Sequence, residues 1–166
     1  MDVRSSGIPF TRELHRKNKK MLFIFLDVDG VLNTVKSSRI FGRQYIDDSL
    51  VRIVVSIIKA TAAKIILSSN WRLNPSDVNL VKTALSRHGL DIFDFTPVLE
   101  PTGDDEFVFR SKEIQSWIDA NDSIHRFAII DDDPRANIDG SFFQTDERIG
   151  LTGETASLVI AHLKSI

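Results

Sequence analysis

Asp27-Val28-Asp29-Gly30 is the segment of this chain best equipped for chemistry. It follows directly on an apolar run, so Asp27 stands where a buried strand ends and its carboxylate can reach a ligand. Side chains alternate as a chain leaves a strand, and Val28 therefore lets the two acids differ in direction. Gly30 permits the sharp turn that must follow. A carboxylate can attack phosphorus, and a second acid nearby can protonate the leaving oxygen and then activate water. An ordinary strand-to-loop turn with solvated aspartates uses the same residue types. A second acidic cluster, Asp131-Asp132-Asp133, follows the apolar Ile129-Ile130. Three consecutive carboxylates repel one another unless a cation neutralises them, and a hard divalent ion with oxygen ligands suits them. Ser68-Ser69-Asn70 can offer a hydroxyl and backbone N–H groups to a phosphoryl oxygen. Arg110-Ser111-Lys112 can offer a fixed cation to balance the charge of nucleophile and phosphate. Taken alone, these last two are as ordinary as a loop start and a solvated pair. Trp71 and Arg72 can stack on a base or grip a phosphate; packing beneath the loop is the equal alternative for Trp71.

The elements around these residues alternate. Residues 21–26 form a continuous apolar run, the pattern of a strand buried on both faces of a parallel sheet. Residues 48–62 place Leu50, Val51, Val54, Val55, Ile57 and Ile58 at helical spacing, and 64–67 read as a second buried strand. Asn74-Pro75-Ser76-Asp77 opens a helix that runs to Arg87, with Gly89 just beyond its end. The loop-like stretch 90–106 contains a short strand near 93–95 or 98–99. Residues 111–120 read as a helix with Ile114, Trp117 and Ile118 inward, 126–130 as a third strand, 141–145 as an edge strand and 154–164 as a closing helix. The expected fold is an α/β, doubly wound (Rossmann-like) parallel sheet in three layers. Ligands bind beyond the carboxyl ends of such strands, where Asp27, Ser68 and Asp131 all fall.

With 166 residues and 42% hydrophobic content, the chain supports one core. The expected organisation is a flexible basic N-terminal arm over 1–20, carrying Arg12, Arg16, Lys17, Lys19 and Lys20, then a single domain over 21–166. The formal net charge of −2 gives no overall pull toward nucleic acid or an acidic membrane. The absence of cysteine excludes disulfides, thiolate metal sites and cysteine catalysis, and fits a reducing, intracellular and cytoplasmic setting. No stretch approaches the roughly 18 apolar residues of a membrane span. His15, His88, His125 and His162 have no partner at metal-ligand spacing.

FLDVDGVLN, Ser68 after KIIL, the R-S-K-E-I stretch and IIDDDP, in that order, resemble the motifs of the haloacid-dehalogenase superfamily. DGVLN, SSNWR, R-S-K-E-I and IIDDD together are similar to a small capless phosphatase-like branch, some of whose members are associated with nucleic-acid repair. The resemblance implies Asp27 as nucleophile and metal ligand and Asp29 as general acid/base, with the backbone carbonyl at Asp29 also on the metal. It implies Ser68 as the second-motif hydroxyl and Arg110 or Lys112 as the cation, Arg110 being preferred. Asp131 is the implied direct ligand of Mg2+, and Asp132 a ligand through water. Ser69, Asn70, Trp71 and Arg72 beside Ser68 are the expected substrate contacts. In this superfamily the second acid separates phosphoryl chemistry from dehalogenation, because a phosphoester leaving group needs a proton and a halide does not. Only about 17 residues separate Asn33 from the helix near Leu50, too few for a folded cap domain. The expected activity is that of a magnesium-dependent phosphoric monoester hydrolase with an open site, suited to a phosphorylated nucleic-acid end or other bulky substrate. The alternatives are phosphatase action on a small metabolite or nucleotide, a catalytically silent binding module, and a receiver-like domain, against which Asp29 argues.

Overall fold

The computed structural model describes residues 20–103 and 107–165. Apart from Lys20, the expected basic arm lies outside the described residues. Five strands form one parallel sheet: β1 (Met21–Leu26), β2 (Lys64–Leu67), β3 (Ile92–Phe95), β4 (Ile124–Asp131) and β5 (Phe142–Gln144), in the order β3-β2-β1-β4-β5. The helices between them are α1 (Val35–Phe41), α2 (Asp48–Thr61), α3 (Pro75–Ser86), α4 (Arg110–Asp119) and α5 (Gly153–Lys164).

The sheet is buried on both faces, which is why its strands read as unbroken apolar runs. Ile24, Leu26, Ile65, Leu67, Ala128 and Ile130 pack with Val51, Val54 and Ile57 of α2, Val81 and Leu85 of α3, and Val159 and Leu163 of α5. Phe23, Phe25, Ile66 and Ile129 pack on the other face with Ile114 and Trp117 of α4. Trp117 meets Phe23 and Phe25 edge-on, with ring centroids 5.1 and 5.5 Å away. Its indole N–H is satisfied by Asp94, 2.7 Å from it. The architecture is the expected three-layer α/β fold without a cap.

Register positions the site. Leu26 pairs with Leu67 of β2 on one side and with Ile130 of β4 on the other. The ladder continues one step further: Ser68 N–H donates to Leu26 O and Asp27 N–H to Ile130 O, each at 3.0 Å. Ser68, Asp27 and Asp131 therefore stand side by side at one sheet edge.

Two elements differ from expectation. The sequence assigns no element between Asn33 and the helix near Leu50, whereas the structure contains α1 there, started by a capping box between Thr34 and Ser37. α1 buries no residue, so it has no apolar periodicity to betray it. β4 begins earlier than residue 126, with polar His125 and Arg126 inside it; Arg126 reaches the carbonyl of His162 at 2.8 Å. Among the described residues no helix is long and apolar enough to cross a membrane.

Candidate active site

Asp27 is 4% exposed and Asp131 fully buried. Between them lies Arg110, the first residue of α4, whose Nη1 is 2.9 Å from Asp27 Oδ1 and 2.9 Å from Asp131 Oδ2. Its Nη2 donates to Asn70 Oδ1 at 3.3 Å. Burial disfavours the charge on Arg110, but Asp27 and Asp131 outweigh that cost and hold its pKa above the usual value. Arg110 stands against the two carboxylates, whereas Lys112 is exposed and does not line the cleft at the strand ends.

One carboxylate oxygen each of Asp27, Asp131 and Asp132 lies within 4.8 Å of the others. Burial first, and then the charge of Asp27, push Asp131 up to about 8, although Arg110 and the Asp133 N–H pull the other way. Burial and Asp27 likewise push Asp132 up to about 6. One guanidinium does not compensate the negative charge gathered here. A hard divalent cation fits this donor set, since all three groups present oxygen and the charge of Asp27 disfavours the charged forms of the other two. The Asp29 carboxylate is outside the cluster.

Asp29 is held by a short frame instead. Asn33 Nδ2 donates to its Oδ1 at 2.9 Å and the Trp71 indole N–H to its Oδ2 at 3.0 Å. Asn33 also accepts from Gly30 N–H at 3.0 Å, closing the turn. Gly30 has φ +71°, and a Cβ there would sit 2.6 Å from Asp132 Oδ2, so a side chain would both strain the turn and displace a metal-site carboxylate. Thr145, just after β5, clamps the same turn, its hydroxyl donating to Gly30 O at 2.7 Å while its N–H donates to Asp131 O at 3.0 Å.

Ser68 is fully buried and its Oγ has no hydrogen-bond partner among the described residues. A buried donor without a partner is costly, and this one stands beside Asp27 in the sheet register. Ser69 and Asn70 line the cleft. For Trp71 the structure shows the packing alternative, and Arg72 does not line the cleft as the expected substrate contact would. Trp71 is 3% exposed, with its indole N–H on Asp29. Arg72 donates to the carbonyls of Ser69, Thr96 and Pro97 and to Glu113 Oε2, the last at 2.5 Å. Four of the five N–H donors of Arg72 are engaged, its side chain is 3% exposed and neither residue lines the cleft, so the pair packs as wall.

The sequence reading did not single out Asn33, Thr145 or Arg135. Asn33 sits within the quoted DGVLN, but its partners depend on the turn closing. Thr145 meets Gly30 across 115 residues, a contact with no local signal. The cleft is open, ≈ 1050 Å³ in volume, and reaches from Asp27 past Asp132 to Arg135 and Arg148.

The family described as "HAD domain in Swiss Army Knife RNA repair proteins" matches residues 23–156. No curated protein and no solved structure gives a significant match.

Proposed function

The chain belongs to the family of HAD domains found in Swiss Army Knife RNA repair proteins, and on that premise we propose that it is a magnesium-dependent phosphatase that hydrolyses phosphomonoesters through Asp27, with a phosphorylated nucleic-acid end as its substrate. One observation carries the reading: a buried carboxylate, Asp27, flanked in register by an unpartnered hydroxyl and by a second buried carboxylate, with Arg110 bridging the two acids. Such a group is oriented, desolvated and open to the cleft on one side, as a nucleophile must be.

Asp27 attacks phosphorus through a carboxylate oxygen; the new P–O bond forms as the ester P–O bond breaks. Asp29 gives its proton to the departing alkoxide, which leaves as an alcohol. Asp29 then takes a proton from water, the water oxygen attacks phosphorus, and the bond to Asp27 breaks. Inorganic phosphate leaves and both carboxylates return to their starting states. Asn33 and Trp71 keep Asp29 aimed throughout, and Ser68 donates to a phosphoryl oxygen. Arg110 limits the repulsion between Asp27 and an incoming phosphate. Mg2+ would be held by Asp27, Asp131 and Asp132, where it supplies charge neutralisation and Lewis-acid polarisation of the phosphoryl oxygens.

Asp27→Asn tests this, since it keeps the shape of the side chain and removes the attacking charge. Release of phosphate from a small aryl phosphate, in saturating magnesium, should fall by on the order of 10⁴-fold in kcat. An unchanged circular-dichroism melt would show that the fold survives. Substantial turnover by the purified variant sinks the mechanism.

A further inference from the structure

We propose that α1 and the turn after it form a binding track for single-stranded polynucleotide, along which the strand leads its terminal phosphate to Asp27. The inference rests on the phosphatase reading and deepens it by assigning residues that the catalytic steps do not use.

α1 contributes nothing to the core. It buries no residue, and it exposes Ile40 and Phe41 at 60% and 64%. It is nonetheless firmly placed: the capping box starts it, and Val35 N–H is bonded to Glu147 O at 3.0 Å. A fixed, non-core helix that presents large apolar groups to solvent has its use outside the fold. The ring of Phe41 packs against Tyr45 in a tilted pair, centroids 4.6 Å apart and planes 33° apart. Unpaired bases stack on platforms of this kind, and the stacking tolerates any base because each has a π face.

Arg43 lines one depression with Phe41 and Tyr45, and Lys36 and Arg39 lie on α1; all three are exposed. Among the described residues none of them enters an ion pair. The surface is continuous with the catalytic centre. A groove beside the centre is lined by Asp29, Asp132 and Glu147 together with Arg39 and Arg43. Arg43 then also lines the next depression, together with Phe41 and Tyr45. Unpaired cations and an aromatic pair leading away from a phosphate-cleaving centre match a polymer that repeats one phosphate and one π face per unit. A phosphopeptide has no such repeat. The net charge of −2 is no obstacle, because phosphate contacts depend on local patches. The other aromatic pair near the centre, Phe107 with Phe109, lies under Arg135, but that guanidinium is already committed to Asp133 at 2.7 Å.

The test compares a single-stranded oligonucleotide carrying one terminal phosphate with a small aryl phosphate, using wild type, R39A/R43A, F41A and the control K59A/K82A. The control removes the same charge from exposed positions on α2 and α3. R39A/R43A should lower kcat/KM for the oligonucleotide at least tenfold more than for the aryl ester. It should also flatten the log–log salt dependence of the oligonucleotide KM by about 1.4, at ~0.7 per lost phosphate contact. F41A should cost the oligonucleotide roughly tenfold through lost stacking, and K59A/K82A should leave the preference in place. Equal losses on both substrates with an unchanged salt slope overturn the track. So does a phosphopeptide that matches the oligonucleotide in kcat/KM and in sensitivity to R39A/R43A. If wild type fails on the aryl ester, it is the phosphatase reading that falls, and fluorescence anisotropy decides the track: oligonucleotide binding weakened by R39A/R43A but not by K59A/K82A supports it, and equal binding by all four overturns it.

Discussion

Arg110, at the start of α4, and Arg72, in the turn after β2, are both nearly dry guanidinium groups, with side chains 14% and 3% exposed. Arg72 is locked to three carbonyls and to one carboxylate, Glu113, so its charge is matched one to one and four of its five N–H donors are engaged. It ties the turn after β2 to α4. Arg110 faces two carboxylates directly and has Asp132 close by, and it keeps an opening to the cleft. The first arrangement is electrostatically closed, and nothing further can be gained by adding a ligand. The second holds excess negative charge that a cation would relieve. Two arginines of similar burial thus mark a joint and a site, and charge balance, more than burial, separates them.

The largest expected effects come from breaking the two regions separately. Arg110→Ala should reduce kcat by about 10²–10³-fold, while stability in saturating magnesium changes by no more than about 1 kcal/mol. Arg72→Ala should do the reverse. Removing one partner of a buried pair costs about 3–5 kcal/mol, which for a chain of this size lowers Tm by roughly 10 °C, with far less effect on kcat per folded molecule. Thermal melts and phosphate release on the same preparations check both. Should Arg72→Ala lose turnover with its Tm intact, the distinction between joint and site fails.

A subtler separation lies in pH. Asp131 and Asp132 have raised pKa values, so the folded state binds their protons more tightly than the unfolded chain does. Stability from these groups is therefore greatest in acid and falls as pH rises from the ordinary carboxylate value near ~4, through about 6 for Asp132 and up to about 8 for Asp131. In chelator, Asp131→Asn should gain in Tm relative to wild type as pH goes from 5 to 8, because the amide has no charge to bury. Magnesium should raise the wild-type Tm at pH 8 and hardly at pH 5, since protons compete for the same oxygens. A difference between variant and wild type that stays flat across this range contradicts the assignment.

The smallest effect should follow Lys112→Ala. The residue is exposed on α4 and outside the cleft. Stability should change within about 0.5 kcal/mol, and turnover of the aryl ester should hold within a few-fold. A collapse of kcat would mean that the wrong cation has been placed in the site.

The apolar runs 21–26, 64–67 and 126–130 were decisive in the sequence, because a strand buried on both faces cannot hide its composition. The acids and hydroxyl that end those runs then had to meet at one edge, since parallel strands share a carboxyl side. Asp27, Ser68 and Asp131 were legible for that reason, and Arg110 became so through its place before a helix. Partnership was not legible. Trp71-Arg72 has the composition of a nucleic-acid contact, yet the fold turns both inward, one onto Asp29 and the other onto Glu113. Thr145 gains its role only when β5 docks beside β4. α1 carries no core-facing stripe, so nothing in its periodicity announces a helix, and its arginines matter only because the turn after β1 brings them alongside Asp29 and Asp132. Local pattern determines which residues must be buried and which strand ends must align; the direction of a side chain and the identity of its neighbour come from long-range packing, which a one-dimensional pattern does not encode.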